Sequence, residues 1–521
     1  IDQTFGDASV AGAGAHAGHF QTMLDTARAE HPGATILIKT HPETLAGKRA
    51  GFFDPRDGNA KTLIWDHGTA PRALFARARA VYCVSSLLGA EAILHGHRPV
   101  VFGDAFYCGR GLTDDRHERT PARTPITPEA FFDAAYLRYC RWHDPALGRL
   151  CTFEDVLDQL TSKMSAHKGF AVPSVLSGMR LWKRGFLKRR FDRIERFEDD
   201  PKTASRLADH AGGQIVVWAG KESTALTRAA QARKVPVLRM EDGFVRSAGL
   251  GAELVVPASL TLDDAGIYYD PSRPSRLERL IDAGRDLPPW AETRARRLAD
   301  RIVAAGVSKY NLGAEAPLPE FPEGRDVVLV PGQVEDDQSI LKGAPGAATN
   351  RALLAAARGA FPGAYIVYKP HPDVLAGLRD GGESGSGFAD ADETVARADI
   401  AQLLPHVSRV ATMTSLTGFE ALLRGIPVTT WGIPFYAGWG LTDDRAETPA
   451  RRRPGVPLWA LVHAALIDYP AYWDPVTGLS CGPEVLLERL ETGAISRAQG
   501  PGLRLLAKAQ GLAASYAYLW R

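Results

Sequence analysis

The sequence predicts an α/β protein of doubly wound, Rossmann-type domains, arranged as one complete two-domain module preceded by half of another. Three observations carry that prediction. Short β-branched runs bounded by turn residues alternate with amphipathic helical stretches, the pattern of parallel sheets covered by helices. Residues 1–160 recur as residues 326–490. The polar residues retained in both copies fall at the ends of predicted strands, the edge at which doubly wound sheets bind ligands.

A chain of 521 residues is too long for a single hydrophobic core. Its 45% apolar and 23% charged residues are those of a globular protein, not of a disordered or fibrous one. A net charge of +2 leaves no broad electrostatic footprint for nucleic acid. The basic cluster of Lys183, Arg184, Lys188, Arg189 and Arg190 reads as a solvated helix face, with contact to an anionic membrane surface as the alternative. Cys83, Cys108, Cys140, Cys151 and Cys481 are odd in number and lack a CxxC pattern, so buried thiols in a reducing compartment are expected. No apolar run nears the roughly 20 residues of a membrane span, and no signal peptide opens the chain. The expected location is cytoplasmic.

The repeat is read directly. IDQTFGDAS aligns with PGQVEDDQS, pairing Gln3 with Gln333, Asp7 with Asp337 and Ser9 with Ser339. HPGATILIKTHPE aligns with FPGAYIVYKPHPD, pairing Lys39 with Lys369, His41 with His371 and Pro42 with Pro372. VYCVSSLLGAEAILHG then pairs with VATMTSLTGFEALLRG, equating Ser86 with Ser415, Gly89 with Gly418 and Glu91 with Glu420. FYCGRGLTDDR and WHDPALGRLC find partners in FYAGWGLTDDR and YWDPVTGLSC. Between the copies, residues 161–325 alternate strand-like runs such as QIVVWAG and VPVLRMEDG with the helical ETRARRLADRIVAAG. That segment plus the second copy makes one module, so the first copy reads as the second half of a module whose first half is absent, a fragment or a truncation. Residues 491–521 are expected to form a helical tail.

Several motifs can carry chemistry at these strand ends. RVATMTSLTGFEALLRGIPV predicts strand, turn, helix, glycine stop and strand, with Ser415 as N-cap. The free amides of such a helix start suit a phosphate, and Glu420 could take ribose hydroxyls; plain capping is the alternative. Lys369 and His371, flanked by Pro370 and Pro372, could neutralise a departing phosphate, or the histidine could be structural. Asp337 and Asp7 are the only acids common to their loops, and an aspartate there could act as nucleophile or base at an anomeric carbon. Glu241 and Asp242, with Gly243 after them, could supply a general acid or base, and Arg246, with Ser247 close behind, could bind an acidic sugar's carboxylate. The loop with Tyr436, Trp439, Asp443, Asp444 and Arg445 suits either an acceptor cleft or a structural turn.

EDG in one domain followed by HP in the next resembles bacterial sialyltransferases that use CMP-activated sugars. The fuller pattern, QxxxDxS, KPHPD, SLTGFEALLRGIPV and FYAGWGLTDDR appearing twice, resembles the capsular polysaccharide β-Kdo transferases of the KpsC type over nearly the whole chain. The resemblance implies a GT-B-like module that uses CMP-Kdo, needs no metal or other cofactor, and builds a β-Kdo linker with retention on a phosphatidylglycerol-type lipid. Its implied setting is the inner face of the plasma membrane, beside capsule synthesis and ABC export proteins. Residues 1–160 and 326–490 become nucleotide-sugar-binding halves and residues 161–325 the acceptor side. Carried onto matching positions, the resemblance makes Asp337 the nucleophile and Glu241 or Asp242 the acid/base. Lys369, His371, Pro372, Ser415, Gly418, Glu420, Arg246 and Ser247 then bind the donor. The equivalents Asp7, Lys39, His41, Ser86 and Glu91 lack an EDG partner ahead of them and are expected to be inactive.

Overall fold

A computed structural model describes residues 1–245, 255–308, 317–375 and 389–495. Arg246, Ser247 and residues 496–521 of the expected tail lie outside the described residues. The chain divides into two compact units, one of Ile1–His143 with Leu150–Phe153, the other of Asp144–Arg149 with Glu154 onward. The first unit thus closes earlier than the expected boundary at residue 160.

In the first unit, strands β1 (Ile36–Lys39) and β2 (Thr62–Trp65) pair in parallel. So do β3 (Tyr82–Cys83), β4 (Val100–Val101) and β5 (Asp114–Asp115). The opening residues lie between these two sheets: the Ile1 ammonium donates to the Tyr82 carbonyl at 2.8 Å and the Asp2 amide to the Lys39 carbonyl at 3.1 Å. Phe20, Met23 and Leu24 of helix Ala17–Glu30 pack on Ile38, Val84 and Phe102 to form the core. The hairpin β6 (Trp142–Asp144) and β7 (Arg149–Cys151) follows.

The second unit holds two sheets. In the first, β8 (Ser174–Ser177), β9 (Ile194–Phe197), β10 (Gln214–Trp218) and β11 (Val237–Asp242) run parallel, with β12 (Ser259–Asp263) antiparallel beside β11. The other is parallel throughout: β13 (Val327–Pro331), β14 (Tyr365–Lys369), β15 (Glu393–Thr394), β16 (Arg409–Thr412), β17 (Val428–Thr430) and β18 (Asp443–Asp444), in the order β15-β14-β13-β16-β17-β18. VVLVP at β13 is buried at every residue, as a central parallel strand covered on both faces requires.

Two expectations need correction. β19 (Pro470–Trp473) and β20 (Ser480–Cys481), which fall within 326–490, join the first of these sheets instead, because β19 pairs antiparallel with β12. All four of its residues are buried there, so this segment belongs by packing with residues 161–325. Only Cys83, Cys108 and Cys481 are buried; Cys140 is exposed and Cys151 half-buried, since neither reaches a core.

Side chains from both sheets meet within the second unit. Phe244 stacks on Phe435 at 4.5 Å, Arg276 donates to the Asp468 carbonyl at 2.9 Å, and Lys342 pairs with Asp270 at 2.7 Å. Tyr469 is 0% exposed and donates to Asp263 at 2.9 Å, and Ile467 is 1% exposed. Their counterparts in the first copy, Tyr139 and Leu137, are 86% and 41% exposed. The same pattern positions are therefore core in one copy and bare in the other.

Glu278, on helix Arg276–Ala283, accepts from Arg451 and from Arg452 at 2.7 Å each, with Arg452 buried beside it. Removing one partner of a buried pair strands the other's charge. Glu278→Ala is expected to lower the stability of the second unit by about 3–5 kcal/mol in urea unfolding, far more than Asp264→Ala, whose partner Arg279 is exposed with it.

Candidate active site

The chain leaves β13 toward β14 on one side and returns through β16 on the other, which puts the topological switch point between β13 and β16. Gln333, just past β13, fills that crevice. Its amide donates to Thr414 Oγ1 at 2.9 Å and accepts from the Thr414 backbone at 3.0 Å, while its own backbone N–H reaches Asn350 at 2.8 Å. Gln3 braces Ser85 in the same way at 3.0 and 3.1 Å. Sequence reasoning paired these glutamines without giving them a role. Their long amides, placed at the crevice in both copies, were the available signal.

The other retained residues end the neighbouring strands. Asp337 caps helix Gln338–Gly343, its Oδ1 accepting from the Ser339 amide and hydroxyl at 2.9 Å. Asp7 caps its own helix through Ser9 at 2.8 Å. Burial pulls the Asp7 carboxyl upward, but the hydrogen bonds from Ser9 and Gln3 outweigh it and hold the group below its ordinary value. Lys369 is buried at the end of β14 and donates to the Ala396 carbonyl at 2.9 Å; burial lowers its pKa.

His371 precedes a short turn of helix that begins at Pro372, and its Nδ1 accepts from the Asp373 amide at 3.1 Å. His41 does the same with Glu43 at 3.2 Å. An accepting Nδ1 places the proton of a neutral ring on Nε2, leaving that nitrogen a donor. Ser415 caps helix Leu416–Leu422, and Ser86 caps helix Leu87–Leu94. Gly418 lies one turn in, where Tyr436 passes to donate to the Ser415 carbonyl at 2.5 Å. A Cβ at Gly418 would stand 2.2 Å from that hydroxyl, and one at Gly89 would stand 2.3 Å from Tyr107. Glu420 is buried in the same helix, while Glu91 is half-buried.

The FYAGWG loop resolves as structural. Tyr436 and Trp439 are buried, Trp439 Nε1 donates to the Phe435 carbonyl at 2.9 Å, and Asp444 takes the Gly438 amide at 2.8 Å and Thr442 Oγ1 at 2.6 Å.

Glu241 and Asp242 are the last residues of β11, opposite Thr261 and Leu260 of β12. Consecutive strand residues point to opposite faces, so the two carboxylates do not serve one space equally. Tyr268 and Tyr269, in the turn after β12, connect this edge to the other sheet. Burial first, then the negative charge of Glu241, lifts both phenols well above their ordinary range, and Asp337 adds to both. The carboxylate ending β11 and the one capping the helix after β13 therefore bear on the same pair of tyrosines.

A family of capsule polysaccharide biosynthesis proteins matches residues 1–143, 213–311 and 298–472. The capsule polysaccharide modification protein LipA of Neisseria meningitidis serogroup A is 40% identical over 505 residues, 94% of this chain and 70% of LipA. The lipopolysaccharide-processing protein LpsZ of Rhizobium meliloti is 40% identical over 63% of this chain and 77% of its own length. Among solved structures, the β-Kdo 2,7 transferase of Thermosulfurimonas dismutans KpsC matches with 33% identity and a TM-score of 0.52, covering 62% of this chain and 99% of its own. The β-Kdo 2,4 transferase of the same KpsC matches with 32% identity and a TM-score of 0.53, covering 61% and 98%.

The close approach at Gly418 makes a direct test of this helix start. Gly418→Ala is expected to unfold at a lower temperature than the wild type, by the equivalent of about 1–3 kcal/mol of overpacking. Adding Tyr436→Phe, which removes the clashing oxygen, is expected to recover part of the loss; strict additivity in the double-mutant cycle would contradict the contact.

Proposed function

This chain belongs to the family of capsule polysaccharide biosynthesis proteins, and we propose that it is a retaining glycosyltransferase that moves Kdo from CMP-Kdo onto a Kdo-lipid acceptor. The site lies in residues 161–490, a GT-B-like module; residues 1–160 resemble the nucleotide-sugar half of a second module. One observation carries the reading: Asp337, His371 and Ser415 end neighbouring strands of one sheet at its switch point, and Lys342, on the helix capped by Asp337, pairs with Asp270 in the turn after β12, the strand that lies beside Glu241 and Asp242. A retaining transfer through a covalent intermediate needs two such carboxylates around one anomeric carbon. Named Kdo transferases that match the chain at about a third identity support the sugar.

In this mechanism Asp337 attacks the anomeric carbon, CMP leaves with its bond electrons, and Glu241 then removes the acceptor hydroxyl's proton as that oxygen displaces Asp337. His371, with Nε2 as donor, and the Ser415 helix start receive the phosphate, and Glu420 takes the ribose; no metal is invoked. Lys369 adds positive charge from behind the strand end, and Pro372 and Gly418 shape the turns that carry these groups. Arg246 and Ser247 remain assigned to the sugar carboxylate. A second reading gives the covalent role to Asp242, favoured by the capping duty that already occupies Asp337.

Among the described residues no helix is long and apolar enough to cross a membrane. The lipid acceptor implies peripheral work at the inner membrane face, next to capsule synthesis and export proteins.

Incubated with CMP-Kdo and a soluble Kdo glycoside, the protein is expected to yield a product one Kdo heavier, in β linkage by NMR. Glu241→Gln and Asp337→Asn are expected to lower kcat by about 10²–10⁴ while the melting temperature of Glu241→Gln stays within a few degrees. Turnover of CMP-sialic acid alone would move the reading to another ulosonic acid. Full activity of both variants in cells would favour a scaffold.

A further inference from the structure

Helix Gln338–Gly343, which Asp337 caps, meets the other sheet of the second unit along one side. Gln338 and Lys342 are four residues apart and share that side. A Cβ at Gly220, in the loop after β10, would stand 3.4 Å from Gln338 Cγ, and Lys342 Nζ donates to Asp270 Oδ2 at 2.7 Å. Ile340, two residues from each, turns away into the core with Val328 and Val330. Two contacts on one face fix both the rotation of the helix and its distance from that sheet. Its far end is held as well: the Ile433 amide donates to the Gly343 carbonyl at 2.6 Å, and a Cβ at Gly343 would stand 3.0 Å from Thr414 Cγ2.

Asp270 is the fixed end of this contact. It is buried, and its Oδ1 accepts from the Ser272 amide at 3.1 Å and from Ser272 Oγ at 2.5 Å, while Oδ2 takes Lys342. Burial pulls the Asp270 carboxyl upward, but the bonds from Lys342 and Ser272 outweigh it and hold the group below its ordinary value, so the pair stays charged. The segment around Asp270 is strapped at both ends. Asp263 accepts from the amides of Ala265, Gly266 and Arg276, Glu222 accepts from Arg273, and Arg451 donates to the carbonyls of Pro271 and Arg273. The turn keeps all these bonds without Lys342, whereas the helix loses its charged tie to the other sheet.

We propose that Asp270 and Lys342 are positioning residues for the transfer reaction, their pair setting where Asp337 stands relative to Glu241 and Asp242 at the end of β11. The proposal rests on the transferase reading. Both residues act through Asp337. The turn of Asp270 continues from β12, which pairs with β11 through Glu241 and Asp242, so a shift of the helix is a shift of Asp337 against those carboxylates. Misplacing a reacting group by about 1 Å costs on the order of a hundredfold in rate.

The test compares Lys342→Met, Lys342→Arg, and Lys342→Met combined with Asp270→Asn, assayed with CMP-Kdo and a soluble Kdo glycoside. Lys342→Met strands the buried Asp270 charge, so the double variant, which removes both charges, serves if the single one folds poorly. Folded protein of either is expected to show kcat lowered by about tenfold to a hundredfold. The KM for CMP-Kdo is expected to stay within twofold, because His371 and Ser415 follow other strands, and Lys342→Arg to recover part of kcat. A pair that only stabilises the fold lowers the melting temperature and leaves kcat of the folded protein unchanged, and that result overturns the proposal. So does a raised KM for CMP-Kdo without a fall in kcat, or no recovery by Lys342→Arg. If wild-type protein does not consume CMP-Kdo, the transferase reading fails by itself. Hydrogen exchange then decides the role of the pair: faster exchange of residues 338–343 in Lys342→Met than in wild type, with β13 unchanged, upholds its hold on the helix, and equal exchange overturns it.

Discussion

Glu278 receives one guanidinium from Arg451 and another from Arg452, and Arg452 also donates to the carbonyls of Pro434 and Ala437. The helix that follows β12 is thereby tied to the loop that follows β18. The two carboxylate-bearing edges come from different sheets, and this buried junction is one of the side-chain contacts that hold those sheets together within the second unit. A buried ion pair contributes little net stability compared with apolar packing, but it tolerates few alternative geometries. The Asp270–Lys342 pair repeats the device closer to the carboxylates, joining the turn of Tyr269 to the helix capped by Asp337.

Held in this way, the strand ends show why so few residues persist between the copies. Asp337, His371 and Ser415 each cap a turn or helix, and Gln333 bridges β13 to the residues after β16. Capping and ligand binding are not competing uses. A histidine that accepts through Nδ1 must present Nε2 as a donor, and a serine that caps one amide leaves the remaining first-turn amides directed outward. Asp337 caps through Oδ1, so its cap and the covalent role share one carboxylate.

Much of this was legible in the sequence. The strand, turn and helix of residues 409–428 follow from β-branched runs, a serine cap and a glycine stop, all local signals. The repeat filtered the polar residues to those at strand ends. It could not separate a cap from a ligand, because both uses retain the same residue at the same place. Membership of β19 was illegible for a different reason: PAYW reads as a strand, but its partner β12 lies two hundred residues earlier, and only packing reveals it. The role of Tyr436 was hidden likewise, since its reason is the space left by Gly418.

The central claim is a site in the second unit reached by carboxylates from two sheets. Incubating intact protein with CMP-Kdo without acceptor, quenching, and mapping the peptides by mass spectrometry tests it most directly. A Kdo adduct is predicted on the peptide that carries Asp337. No adduct on that peptide, or a product of inverted configuration, would contradict the account.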